Sequence, residues 1–163
     1  MGAQDVAFGI IAAVMAAAAV AVVTVRNVVH AALSLVIVLA GVAAQYVLLQ
    51  AEFVALVQVL IYIGAVIILF LFGIMLTRAP MTKNLHLDNN QRGWAVAVAA
   101  LIGGVLVVLL SDTFGDTKLP SADPTLTGTV ANSIFRTYVI AFEVVSMLLL
   151  AALIGAIVLA RKD

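Results

Sequence analysis

The sequence contains no cysteine and little charge. Among its 163 residues only 10% are Asp, Glu, Lys or Arg, and two are histidine. Without cysteine there can be no disulfide, no thiolate ligation of an iron–sulfur cluster and no thiol catalysis. Eight basic residues balance eight acidic ones, so no basic surface is available to bind nucleic acid. Any redox chemistry must therefore take place on another chain.

Hydrophobic residues dominate the composition. They make up 66% of the chain, and the mean hydropathy is +1.28. These values exclude an ordinary soluble domain and indicate a membrane protein. Since a bilayer-spanning helix needs roughly 20 apolar residues, the chain can supply about five spans and has no room for a separate soluble domain.

Five long apolar runs follow one another along the chain. They comprise residues 6–25, 28–49, 53–77, 94–110 and 134–160. Polar loops at 78–93 and 111–131 flank the fourth run, and Asn132 or Ser133 could cap the last helix. Backbone groups must be satisfied within lipid, and no run shows the alternation of a barrel strand. The sequence predicts an all-α, polytopic membrane protein with five transmembrane helices in a single transmembrane helical domain, 1–163.

The basic residues are distributed unequally across the predicted membrane. Six would lie on one side: Arg26, Arg78, Lys83, Arg92, Arg161 and Lys162. Only Lys118 and Arg136 would lie on the other side. Because cytoplasmic loops carry the excess of Lys and Arg, we expect the N-terminus outside, the C-terminus cytoplasmic and the loop 111–131 outside.

Glu143 is the clearest ionisable residue inside an apolar run. Such a group costs at least about 2.5 kcal/mol on membrane-insertion scales, which makes it a candidate functional residue. It could be a protonatable group that faces water or a neighbouring subunit, with Ser146 close by. Alternatively, Arg136 lies seven residues earlier on the same helix face, about 10 Å away along the axis, and could pair with it.

Three further polar residues and a glycine lie at the start of the third run or within it. Glu52 stands at its start, where the helix dipole alone would favour a carboxylate. Gln58 and Tyr62 are four residues apart and form a polar strip that could serve interhelical hydrogen bonding. Gly64 lacks a Cβ and so permits either close packing or a local change of winding.

The usual catalytic and cofactor motifs are missing. His30 could suggest a haem ligand, but its potential partner, His86, falls in a predicted loop. No nucleotide-binding or zinc-hydrolase motif occurs. The Glu143 and Ser146 pair has no accompanying histidine, as a serine hydrolase would require. We therefore expect no catalytic centre, cofactor or metal in this chain alone.

Three segments resemble a known family. They are residues 26–33, 52–72 and 142–150, and the most specific part is Tyr62-Ile63-Gly64-Ala65-Val66 with its phenylalanine-rich continuation. These segments resemble the J-type membrane subunit of proton-pumping NADH:quinone oxidoreductase (respiratory complex I), which is similar to mitochondrial NADH dehydrogenase subunit 6. The resemblance covers all five runs in order. Val28 and Ala141 stand where the family pattern has proline, which concerns the local shape at those two points.

The resemblance implies a π-bulge in the third helix near residues 62–66. Interconversion of this bulge with α-helix would rotate the side chains beyond it and make or break a water-linked proton route between neighbouring subunits. Tyr62 and Val66 would then be gate residues, and Glu143, Glu52 and Gln58 would be candidate proton-pathway or polar contacts.

The resemblance also implies a setting. FMN, iron–sulfur clusters and quinone are expected in partner subunits, and the partners are the lipid bilayer and other membrane subunits of complex I in a hetero-oligomer. The location would be the bacterial cell (inner) membrane, with multiple passes. Two alternatives stay open. One is the equivalent subunit of a related cation/proton antiporter or membrane-bound hydrogenase complex, and the other is a small independent homo-oligomeric transporter.

Overall fold

The regular structure of the protein is helical throughout the described residues. The computed structural model describes residues 2–77, 91–115 and 126–161. Its elements in chain order are α1 (Ala3–Thr24), α2 (Val28–Leu48), α3 (Glu52–Val57), π1 (Gln58–Val66), α4 (Ile67–Leu76), α5 (Arg92–Phe114), α6 (Thr127–Asn132), π2 (Ser133–Thr137) and α7 (Val139–Ala160). Five stretches are long and apolar enough to cross a membrane: Ala3–Thr24, Val28–Leu48, Glu52–Leu76, Gly93–Phe114 and Val139–Ala160. The predicted all-α class and number of spans are confirmed.

Helices α1 and α2 pack closely because small residues line their contact. Ala18 of α1 and Ala32 of α2 are buried. A Cβ atom at Gly41 would collide with the side chain of Met15, so glycine lets the two helices approach at this level. Small residues serve the same purpose in other membrane helices, where packing replaces the hydrophobic effect as the source of association.

The beginning of α2 does not need the proline of the family pattern. The side-chain oxygen of Asn27 accepts a hydrogen bond from the backbone N–H of Val29 at 3.0 Å, which caps the helix. Val28 occupies the first helical position, which tolerates proline because its N–H is not needed there. Ala141 lies likewise in the first turn of α7. Both helices therefore form without proline at these positions.

A tight turn joins α2 to α3. Gln50 adopts φ 58°, the left-handed conformation. The Ala51 N–H donates to the Tyr46 carbonyl at 2.9 Å, and the Gln50 N–H donates to the Val47 carbonyl at 3.0 Å. This pair of bonds is the Schellman motif, in which glycine normally occupies the left-handed position. The motif reverses the chain within three residues and places α3 beside the end of α2.

The third span packs on α2 along its first two-thirds. Its segments α3, π1 and α4 all lie against α2. The side chains that they bury are Ala55, Gln58 and Ile67. The span ends at Thr77, whose hydroxyl donates to the Gly73 carbonyl at 2.6 Å.

The structure differs from the sequence prediction on both sides of the loop predicted at residues 111–131. Helix α5 continues through Ser111–Phe114, which the polar residues suggested to be loop. Residues 127–132 form α6, whose first turn is closed by the N–H groups of Thr129 and Val130 on the Leu126 carbonyl. Asn132 and Ser133 therefore lie inside a helical stretch, and the last span begins at Val139 instead of residue 134. Local backbone hydrogen bonds outweigh the polarity of these sequences.

Two spans stand apart from the packed unit. Helix α5 makes no close backbone contact with any other described element, and α7 contacts π2 alone. Short α6, in turn, lies against α3. Within the described residues, then, the packed part of the molecule consists of α1, α2 and the third span.

Candidate functional site

Segment π1 interrupts the third span with wide helical turns. It runs from Gln58 to Val66, and at its end the N–H of Ile67 donates to the carbonyl of Tyr62, five residues earlier. Bonds of this spacing define the π-helix, which is rare and frequently marks functional sites. The segment contains all five residues that the resemblance assigned to a bulge, and it begins four residues before them.

Buried side chains flank the exposed part of π1. Gln58 is only 7% exposed and Ile67, the residue after the segment, only 4% exposed. Between them Tyr62 and Val66 are each 48% exposed, and Gly64 is also exposed. The residues on which a gate would depend thus point away from α2, towards whatever surrounds this chain in the membrane.

Gly64 lies beside the backbone of the preceding turn of π1. A Cβ atom at this position would lie 3.4 Å from the carbonyl oxygen of Val59, five residues earlier. Apart from the adjoining residues and the nearby backbone of its own helix, no other described atom lies within 4 Å of it. Of the two roles open to this glycine, packing against another helix of the same chain is therefore excluded for the described helices. A role in the winding of π1 remains.

Gln58 and Tyr62 do not share one environment, although their spacing predicted a common strip. Gln58 is buried within the packed part of the molecule, and Tyr62 is half exposed. Neither side chain forms a hydrogen bond with another described residue, so the interhelical bonding that their spacing allowed does not occur within the described part of the chain.

Glu52 borders an apolar groove between α2 and α3. The groove has a volume of about 440 Å³. Its lining consists of Ala43, Ala44, Val47, Glu52, Ala55, Leu56 and Val59. The carboxylate stands in the first turn of α3, where the helix dipole favours negative charge. Glu52 is thus placed one and a half turns before π1 begins, on the same continuous span.

Glu143 lies on the exposed surface of α7. It is four residues beyond Val139, or about 6 Å along the helix axis at the usual rise. Arg136 is also exposed, and the described residues include no ion pair between it and Glu143. The Ser146 hydroxyl donates to the Phe142 carbonyl at 2.9 Å and is satisfied by its own helix. The structure does not bring Glu143 to π1, because α7 contacts π2 alone among the described elements.

The sequence analysis did not predict a second π-helical segment, π2. It comprises Ser133–Thr137, and the Tyr138 N–H donates to the Ser133 carbonyl, five residues earlier, at 2.9 Å. The rings of Phe135 and Phe142 meet edge to face across the end of the segment, with centroids 5.0 Å apart. Periodicity does not register a single wide turn of this kind, since it shifts the pattern by only one residue.

No metal centre is evident in the described ranges. Among them, no three His, Cys, Asp or Glu side chains come together as a metal-binding group. His30 lies exposed in the first turn of α2, and His86 falls outside the described residues.

Comparison with known proteins places this chain in a family. The model of the family NADH-ubiquinone/plastoquinone oxidoreductase chain 6 matches residues 18–159. The NAD(P)H-quinone oxidoreductase chain 6 of Leptolyngbya boryana is 38% identical, over 99% of this chain and 82% of the relative. The F(420)H(2) dehydrogenase subunit J of Methanosarcina mazei is 39% identical, over 98% of this chain and 92% of the relative. A multi-pass membrane protein with this match across its spans belongs to the chain 6 (subunit J) family of the membrane subunits of NADH-quinone oxidoreductase complexes.

Proposed function

We propose that this chain is a cofactor-free membrane subunit of a proton-translocating NADH:quinone oxidoreductase, and that π1 is a conformational switch coupling quinone reduction to proton pumping. The observation that carries the proposal is the arrangement of π1, in which Tyr62, Gly64 and Val66 face outward between the buried Gln58 and Ile67. A switch needs fixed ends and a middle that can rearrange.

A change in winding alters what π1 presents to its neighbours. Conversion of a π-turn to α-helix changes the hydrogen-bond spacing by one residue, which turns the following side chains by about 100° relative to the preceding ones. The rotation would change whether the polar Tyr62 or the apolar Val66 faces the proton route. An apolar constriction excludes water, and a proton cannot pass where water is excluded. Opening and closing of a proton route is the expected result.

The acidic and amide side chains would take part as polar contacts. Gln58 lies at the fixed end of π1, and Glu52 precedes it on the same span. Glu143 lies on the separate helix α7, so it would act through a neighbouring subunit. FMN, iron–sulfur clusters and quinone would belong to partner subunits.

The proposal includes location and orientation. We place the complex in the bacterial cell (inner) membrane, with the N-terminus outside and the C-terminus cytoplasmic, because six of the eight basic residues then face the cytoplasm. Of the eight basic residues, Arg78, Lys83, Lys118 and Lys162 lie outside the described ranges.

The related-complex alternative differs in the electron donor. A relative named for F(420)H(2) dehydrogenase shows that similar chains occur in proteins with different donor names. The equivalent subunit of a cation/proton antiporter or hydrogenase complex is the second candidate function. The independent homo-oligomeric transporter is disfavoured, because the named relatives are chains or subunits of oxidoreductases.

The test uses glycine substitutions in the assembled complex. Gly64→Val places a branched side chain against the Val59 carbonyl and hinders rewinding of π1. The matched control is Gly73→Val in α4, where an added Cβ meets nothing within 4 Å. We expect Gly64→Val to lower proton-coupled quinone reduction while the complex still assembles, and Gly73→Val to leave it near wild type. Full coupling in an assembled Gly64→Val complex would contradict the switch.

A further inference from the structure

Helix α7 is joined to the packed part of the molecule through π2. Among the described elements it contacts π2 alone, and its side chains are exposed along nearly its whole length. Nothing in the described part of this chain holds α7 at its sides. Its orientation relative to α1, α2 and the third span is therefore set at the joint formed by Ser133–Thr137 and Tyr138.

The joint has a defined geometry. The Tyr138 N–H to Ser133 carbonyl bond closes the wide turn, and Tyr138 itself leaves helical geometry at φ −113° and ψ 28°. Phe135 and Phe142 contact each other edge to face across the break, with an interplanar angle of 67°. An edge-to-face ring contact is a modest stabilising interaction, which suits a joint that holds one arrangement without locking it.

The joint also leads to π1. On its N-terminal side π2 continues from α6, and α6 lies against α3. Helix α3 runs directly into π1. The two π-segments of the described residues are thus linked through the packing of two short helices, α3 and α6.

The residue that such a joint would move is Glu143. Loss of the π-turn would turn α7 by about 100° and shift it by about 1.5 Å relative to α6. Glu143 lies five residues beyond Tyr138, so it would turn with the helix towards a different neighbour in the membrane.

We propose that Ser133–Thr137 is a second π-helical switch, linked to π1 through the α3–α6 contact, and that it positions Glu143. The proposal rests on the proposed function of π1 as a switch. In this view Tyr138 and Phe135 are positioning residues, since they act on Glu143 through the orientation of α7.

Deletion of Ile134 provides the direct test in the assembled complex. A π-turn is equivalent to one extra residue in an α-helix, so the deletion makes the Tyr138 to Ser133 bond an ordinary α-helical bond. It preserves the seven-residue spacings from Phe135 to Phe142 and from Arg136 to Glu143. The matched control, Ile134→Ala, removes the side chain but keeps the residue count. We expect the deletion to lower the proton-to-electron ratio by about twofold or more, and the control to retain it.

A second measurement covers the case in which the deletion prevents assembly. Because this chain has no cysteine, Val144→Cys introduces a single thiol next to Glu143, and Val20→Cys on α1 provides a control. Alkylation of each thiol is quantified on this chain by mass spectrometry, at rest and during turnover. We expect the rate at residue 144 to change by about threefold or more during turnover, and the rate at residue 20 to stay constant.

The outcomes separate the two proposals. An assembled deletion variant with the wild-type proton-to-electron ratio, or equal alkylation at residue 144 in both states, would overturn the second switch. If Gly64→Val uncouples the complex and the deletion of Ile134 does not, only this inference fails. If the deletion uncouples the complex and Gly64→Val does not, the role of π1 and its link to π2 fail, and only the positioning of Glu143 by π2 stands.

Discussion

Glu143 shows how a single side chain can require a partner in the membrane. It lies on an exposed helix surface that is otherwise apolar, and the described residues offer it no ion pair. A charge in such a place costs several kcal/mol unless a neighbouring subunit, water or protonation compensates for it.

We expect Glu143→Gln to lower the number of protons translocated per electron while quinone reduction continues. The amide preserves the shape of the side chain and cannot release a proton. Proton uptake and electron transfer measured together in vesicles would show the change, with Asp5→Asn at the start of α1 as the control. An unchanged ratio would assign Glu143 a structural role.

We expect Tyr62→Phe to reduce proton-coupled turnover by roughly fivefold, which corresponds to the loss of about 1 kcal/mol from one hydrogen bond. The ring keeps its packing, and only the hydroxyl of this half-exposed side chain is removed. Tyr46→Phe on α2 is the matched control. Equal turnover in the two variants, measured with subunit content verified, would remove Tyr62 from the gate.

At the scale of elements, the sequence predicted the spans better than the joints between them. Hydropathy identifies α1, α2 and the third span because lipid demands long apolar helices. It could not place π2 or α6, since Thr127, Gly128 and Asn132 are polar or small and resemble loop residues. The bulge at Tyr62–Val66 came from the family resemblance, and its start at Gln58 needed the structure.

The turn between α2 and α3 offers a stabilising substitution. Gln50 pays the steric penalty of a left-handed residue, about 1 kcal/mol, which glycine avoids. We expect Gln50→Gly to raise the stability of the α2–α3 unit by roughly 0.5 kcal/mol after the entropy of glycine in the unfolded chain is subtracted. Chemical denaturation of the purified chain in detergent, compared with the neighbouring control Gln45→Gly inside α2, would measure it. A decrease in stability for Gln50→Gly would contradict the motif.

At the scale of the whole molecule, the described part of the chain buries few of its own side chains. Its described core comprises five buried apolar residues and Gln58, and α5 contacts no other described element. Apolar faces of this extent indicate surfaces that other subunits or lipid cover. Sequence reasoning found the apolar character of these helices but could not say which faces the chain covers by itself.

We expect helices α5 and α7 to be covered by partner subunits in the complex. Single thiols at Leu101→Cys and Ile157→Cys should react with an apolar maleimide in the detergent-solubilised chain and become several-fold slower in the assembled complex. A thiol at the buried position Ala32→Cys should react slowly in both. Equal rates for the first two thiols in both preparations would mean that lipid alone covers these helices.

The isolation of α5 has a consequence for biogenesis. An apolar helix is stable in lipid before it finds any neighbour, so this span can insert as soon as it leaves the ribosome and then wait. No described element of this chain holds α5, so its final place depends on what surrounds it in the membrane.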